Sequence, residues 1–291
     1  MTRLNFKVEL NYQILEPGAD FIFNIQPAYT DQQRVVSEQL LIHPALPVQS
    51  YEDSATQTRY LRLAPPVGPL RVTSTATVDI AHHVQPPQQV GETRVADVPG
   101  AVLPYLYPSR YCESDRLHAF AVREFGALWQ GHGRVIAIRD WVTRHVTFRS
   151  NTSTGTTSAC DTLISAQGVC RDFAHLMIAL CRAVNIPARF ATGFDYGADP
   201  ALGPPDFHAY VEAYLGQRWY LFDPSGTAIP MGFVRLATGR DAADVAFATI
   251  FGSVRSEAPL VSIDAVADAQ GRLSMPYHRP EALSTDAGGG S

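Results

Sequence analysis

GVCRDFAHLMIALCRAVNIP, residues 168–187, is the stretch on which the reading of this chain turns. Phe173, Met177, Leu180 and Val184 recur at intervals of three and four. The segment therefore predicts a helix with one apolar stripe, from about Cys170 to Val184. Asn185 suits the left-handed cap that ends a helix, and Pro187 forbids its continuation. Gly168 places a loop just before the helix, so Cys170 stands at its N-terminus. Unpaired backbone N–H groups there carry partial positive charge. Such a position favours thiolate over thiol and offers donors to an oxyanion. A buried structural cysteine fits the same motif if it is read alone.

Two further stretches bear on that choice. HAYVEAY (208–214) alternates, so His208, Tyr210 and Glu212 share one face of a predicted strand. RWYLFDP (218–224) reads as a second strand ending at Asp223, and Gly216-Gln217 between them reads as a hairpin turn. His208 and Asp223 can therefore meet across adjacent strands. An acid beside a histidine fixes its tautomer and stabilises its imidazolium. A cysteine on a helix start, followed in the chain by a histidine and an acid on a sheet, is the layout of a papain-like nucleophile system.

Upstream, residues 1–100 read as all-β. Leu4, Phe6, Val8 and Leu10 alternate, as do Tyr60, Arg62 and Ala64, and LRVTSTATVDI (70–80) is rich in β-branched residues. Twelve of the 21 prolines precede residue 111, which punctuates this region into short strands and suggests a β-sandwich. Helical spacing begins after residue 110: 115–129, then 133–146 with Val135, Ile138, Val142 and His145 on one face, then a helix from about Ala159. Strands return over 188–194, 207–214, 218–222 and 260–267. The expected organisation is an N-terminal β-sandwich over 1–100, an α+β papain-like core over 110–268, and a C-terminal extension and flexible tail over 269–291.

The 291 residues suit two domains, and 46% hydrophobic with 18% charged residues is ordinary globular composition. A formal charge of −5 lacks the basic footprint of a nucleic-acid binder. No apolar run approaches the roughly 18 residues a membrane helix needs, and MTRLNFKVELNYQ lacks an apolar signal region. The expectations are a cytoplasmic setting, no membrane or nucleic-acid partner, no metal and no cofactor. Cys112, Cys160 and Cys181 are read as structural. Cys170 and Cys181 lie roughly 16 Å apart along one helix and cannot bridge. His175 is read as packing, Asp172 as a partner of the helix dipole, His82-His83 as a strand-end pair without a site, and Trp129, Trp141 and Trp219 as core aromatics. Gln167 and Trp141 are the candidates for a second oxyanion donor beside the Cys170 amide.

At these residues the chain resembles the bacterial transglutaminase-like proteins, a branch of the transglutaminase-like cysteine protease superfamily. The resemblance runs through TTSAC (156–160), GVCRDFAHLMIALCRAVNIPAR (168–189), HAYVEAY, WYLFDPS (219–225) and GRDAADVA (239–246), and includes PYLYPSRYCESD (104–115) and the β-domain ahead of the core. It implies Cys170 as nucleophile, His208 as base and Asp223 as the orienting acid. Three positions depart from the family pattern. A glycine–asparagine turn is absent around 53–57, Asn185 replaces a usual glycine, and Tyr210 stands where tryptophan is frequent.

The expected activity is acyl transfer on amide bonds of peptides or proteins through a cysteine thioester, completed by hydrolysis rather than cross-linking. A true transglutaminase and a non-catalytic peptide- or protein-binding module are the alternatives. The loop over 195–205 is expected to border the acyl-acceptor side.

Overall fold

The computed structural model describes residues 1–197 and 205–286. Seven strands come first: β1 (Thr2–Ile14), β2 (Asp20–Phe23), β3 (Gln33–His43), β4 (Gln49–Glu52), β5 (Arg59–Leu63), β6 (Gly68–Ile80) and β7 (His83–Gln85). Helices α1 (Ser114–Phe125), α2 (His132–His145), α3 (Ala159–Ser165) and α4 (Cys170–Ala183) follow, with short strands β8 (Thr147–Phe148) and β9 (Gln167–Gly168) among them. Four core strands succeed them: β10 (Ala188–Asp195), β11 (Phe207–Leu215), β12 (Arg218–Phe222) and β13 (Phe233–Gly239). The last are β14 (Ala248–Phe251), β15 (Val254–Ser256), β16 (Leu260–Ala265) and β17 (Ala282–Ser284). Among the described residues no helix is long and apolar enough to cross a membrane.

The alternation in β1 is kept along its whole length: Leu4, Phe6, Val8, Leu10, Tyr12 and Ile14 are all buried. They meet Phe21 and Phe23 of β2 and Leu61 and Leu63 of β5, so two sheets close on one apolar core. One sheet runs β15-β1-β6-β3, with β16 also paired to β1, and the other β14-β2-β5-β4. Each large side chain buried this way contributes roughly 1.5–3 kcal/mol. In β5 the inward residues are Leu61 and Leu63; Arg62 faces outward.

The C-terminal segments correct the expected boundary at residue 268. β16 pairs with β1 from Leu4↔Ala265 to Glu9↔Leu260, and β15 pairs with it further along. β14 joins β2. Residues 248–265 thus complete the sandwich rather than the core, because β1, paired with β6 along one edge, has a second edge to satisfy.

The core is an antiparallel sheet, β12-β11-β10-β13, with α4 packed on one face. Every residue of α4 from Asp172 to Ala183 is buried, not one stripe alone, because α1, α2 and α3 cover its outer side. The helix ends as its sequence predicts. Asn185 has φ 64°, and the Ile186 amide donates to the Cys181 carbonyl. Arg182 is buried and donates to the carbonyls of Ala188, Tyr107 and Arg240 and to the Ser109 hydroxyl, which ties 104–115 and 239–246 to the helix. The far face of the sheet meets the sandwich, where Phe194 packs on Phe6 with centroids 4.7 Å apart.

The expected flexible tail is also corrected as far as residue 286. β17 pairs with β7, and Ser284 and Thr285 are fully buried. Asp286 accepts from Arg189 and Arg235, and its carbonyl accepts from Arg218. Residues 287–291 lie outside the described residues.

Candidate active site

Cys170 is the first residue of α4, as the sequence predicts. The start of the helix is held by Asp172. Its carboxylate accepts from the Val169 amide at 2.9 Å and from the Ser153 hydroxyl at 2.9 Å. A Cβ at position 168 would lie 2.7 Å from Cβ of Asp172, so only glycine permits this approach. Asp172 is therefore a built cap and not only a partner of the helix dipole. The amides of Ala209 and Arg171 lie at the Cys170 sulfur and favour its charged form. Ala209 directly follows His208, so the thiol sits against the strand that carries the histidine.

β11 lies between β12 and β10, and His208 near its start has an acid on each side. Val211 pairs with Phe222, so Asp223, one residue beyond β12, falls diagonally across from His208. Its Oδ1 is 3.4 Å from Nε2 of His208. The same oxygen accepts from the amide and the hydroxyl of Ser225, and Oδ2 accepts from the Ala228 amide. On the other side Gly193 pairs with His208, so Asp195 at the end of β10 is the mirror diagonal. Oδ2 of Asp195 is 3.6 Å from Nδ1 of His208.

Burial alone would lower the His208 pKa. The hydrogen bond and charge of Asp223, with the charges of Asp195 and Asp206, outweigh it and raise the imidazole above its ordinary value. Burial likewise opposes the charge on Asp223, but His208, Ser225 and the Ala228 amide hold that carboxyl below its usual range. Burial raises Asp195, with His208 opposing and Asp223 reinforcing the shift. Burial also pushes the Cys170 thiol up to about 12, against the pull of the Ala209 and Arg171 amides. That is opposite to the expectation from the helix start. Desolvation of the sulfur outweighs the local dipoles, so the resting group is a thiol.

Cys170 is half-buried, whereas Cys112, Cys160 and Cys181 are buried, and all four are free. His175 packs on Tyr111 with centroids 5.0 Å apart and accepts from the Ala242 amide. Trp141 stacks on His145, and Trp219 packs on Tyr105 and Tyr214. Trp129 is 93% exposed, which corrects its reading as a core aromatic. Gln167 faces Arg149 at 3.5 Å. Tyr210 is fully buried against Phe233, and its hydroxyl has no hydrogen-bond partner among the described residues. A cleft of about 400 Å³ lined by His132, Arg139, Leu221, Arg279 and Leu283 touches Asp223 but neither Cys170 nor His208. Of the loop expected to border the acceptor side, residues 198–204 lie outside the described residues. Asp195 was legible only as part of that loop; Ser225 appeared only as the end of WYLFDPS.

Comparison with known proteins accords with this architecture. The family model of the transglutaminase-like superfamily matches residues 126–224, and that of the bacterial transglutaminase N-terminal domain matches 2–101. A Cytophaga hutchinsonii protein assigned as a cysteine protease has a solved structure that superposes with a TM-score of 0.89. It is 36% identical, and the match covers 97% of each chain. An uncharacterized Mycobacterium tuberculosis protein is 27% identical over 250 residues, 76% of this chain and 77% of that one. An uncharacterized Mycobacterium leprae protein is 27% identical over 146 residues; the match spans 48% of this chain and about half, 52%, of that protein. With both halves matched and the whole architecture shared, the chain belongs to the transglutaminase-like superfamily.

Proposed function

We propose that this protein is a thiol-dependent acyl-transfer enzyme that acts on amide bonds of peptides or proteins, with Cys170 as nucleophile, His208 as base and Asp223 as the acid that orients it. The observation that supports the reading is the junction of the α4 start with β11: the Cys170 sulfur lies at the amide of Ala209, the residue after His208, and Asp223 stands 3.4 Å from His208. His208 takes the Cys170 proton, and the sulfur attacks the amide carbonyl. The Cys170 amide donates to the oxyanion. The C–N bond breaks as His208 returns its proton to the departing nitrogen, leaving a thioester and a free amine. Water then attacks the thioester and gives its proton to His208. The C–S bond breaks, the acid leaves, and the sulfur recovers the proton.

Hydrolysis is favoured over amine transfer. Cross-linking needs a channel that admits an amine and excludes water, commonly with aromatic walls. Tyr210 packs into the sheet against Phe233, while Trp141 stacks on His145 and Trp219 packs edge-on against Tyr214. The test is to trap an acyl-enzyme on Cys170 from a peptide library, add millimolar primary amine, and weigh both products. Free acid is expected to dominate. A dominant amide product replaces the hydrolase with a transglutaminase proper, and failure of any peptide to acylate Cys170 favours a binding module.

A further inference from the structure

His208 is flanked by two carboxylates, not one. β11 is the inner strand, β12 brings Asp223 to its Nε2 side and β10 brings Asp195 to its Nδ1 side. Asp195 is 4% exposed, and its Oδ2 has no hydrogen-bond partner among the described residues although it stands 3.6 Å from the ring nitrogen. A buried carboxylate oxygen left unpaired is costly and calls for an explanation. A neutral His208 that donates from Nε2 to Asp223 has a bare Nδ1, which cannot donate to Asp195. Once Nδ1 takes a proton, both ring nitrogens are donors and both carboxylates have partners.

We infer that Asp195 is a second positioning residue for His208, one that accepts from the protonated Nδ1 and stabilises the imidazolium formed when Cys170 gives up its proton. This rests on the proposed role of His208 as base. No covalent step is added: the proton moves from Cys170 to Nδ1 and back out to the leaving nitrogen, and Asp195 accepts the Nδ1–H hydrogen bond without taking the proton. The groups that act on the ring are Asp223 beyond β12, Asp195 on β10, Asp206 ahead of β11 and Tyr210 on β11 itself, and Cys170 on α4 lies at the amide of the next residue, Ala209. Asp195 and Asp223 share the task unequally. Asp223 is tied down by Ser225 and Ala228, whereas among the described residues the Oδ2 of Asp195 has no hydrogen-bond partner and stands nearest the Nδ1 of His208.

The test reads the imidazole directly in a Cys170→Ala background, where His208 titrates with the proposed nucleophile removed. Nitrogen-15 imidazole spectra are followed against pH with and without Asp195→Asn. The His208 midpoint is expected to fall by about one pH unit or more when Asp195 loses its charge, as for an opposite charge within 4–6 Å. An unchanged midpoint overturns the inference. If Asp195→Asn does not fold, Cys170→Ala alone decides: the charged ring is expected to show two slowly exchanging N–H protons, one to each acid, and a single protected N–H overturns it. The titration needs no substrate and no nucleophile, so a failure of Cys170 to form an acyl-enzyme strikes the proposed function without touching this result.

Discussion

Asp223 Oδ1 lies 3.4 Å from Nε2 of His208 while the same oxygen accepts from the Ser225 hydroxyl at 2.6 Å and Oδ2 accepts from the Ala228 amide at 3.0 Å. Both oxygens are therefore acceptors, and the residue at once contacts His208 and braces the turn after β12. Asp223→Asn puts an NH₂ where one of these donors points. The variant is expected to lose roughly 1–3 kcal/mol of stability as well as most turnover. Denaturant unfolding together with turnover checks this; a fully active variant removes Asp223 from the catalytic set.

The acid limb of reactivity should follow His208. Its pKa is raised, so below that value the ring is already protonated and cannot take the Cys170 proton. Alkylation of Cys170 by iodoacetamide is expected to climb as pH rises above 6.5 and to fall off below it. Cys170 should label before Cys112, Cys160 and Cys181, which are buried. Peptide mapping across pH 5–9 decides both points, and a rate already at its plateau at pH 5 contradicts the thiol resting state.

Asp286 anchors the C-terminal strap to two buried arginines. Burial opposes its charge, but Arg189 and Arg235 hold its pKa down to about 2. A carboxyl depressed on folding contributes stability that is fully present above its unfolded pKa and is lost as pH falls through the folded value. Asp286→Asn is thus expected to cost roughly 2–3 kcal/mol at pH 7, because among the described residues the two arginines are then left with the carboxylate of Glu212. The cost should shrink between about pH 4 and pH 2. Equal unfolding midpoints for the two proteins at pH 7 would falsify the strap.

Gly193 stands opposite His208 in the register of β10 and β11. A Cβ there would lie 1.9 Å from the Val234 carbonyl, which no side-chain rotation relieves. Gly193→Ala is expected to part β10 from β13 and to destabilise the fold by at least about 2–3 kcal/mol. Thermal unfolding measures it, and a variant as stable as the parent shows that the bulge between Thr192 and Gly193 can absorb the methyl.

What the sequence determined by itself was everything set over a few residues. The two-residue period of β1, the φ 64° of Asn185 behind α4 and the positive φ of Gly216 and Gln217 in the hairpin turn are local consequences of side-chain shape and backbone sterics. The positions of Cys170, His208 and Asp223 at element ends followed from the same patterns. Tertiary structure alone decided what depends on pairing register and on burial. Asp195 faces His208 only because Gly193 is the residue paired with it; a shift of one residue would turn the carboxylate to the other face. β16 lies beside β1 across more than 250 residues of chain because a sheet edge takes whichever strand satisfies it, a choice no local pattern records. The Cys170 thiol rises to about 12 although its helix position pulls the other way, because desolvation is a property of everything packed around the sulfur and not of its neighbours in sequence.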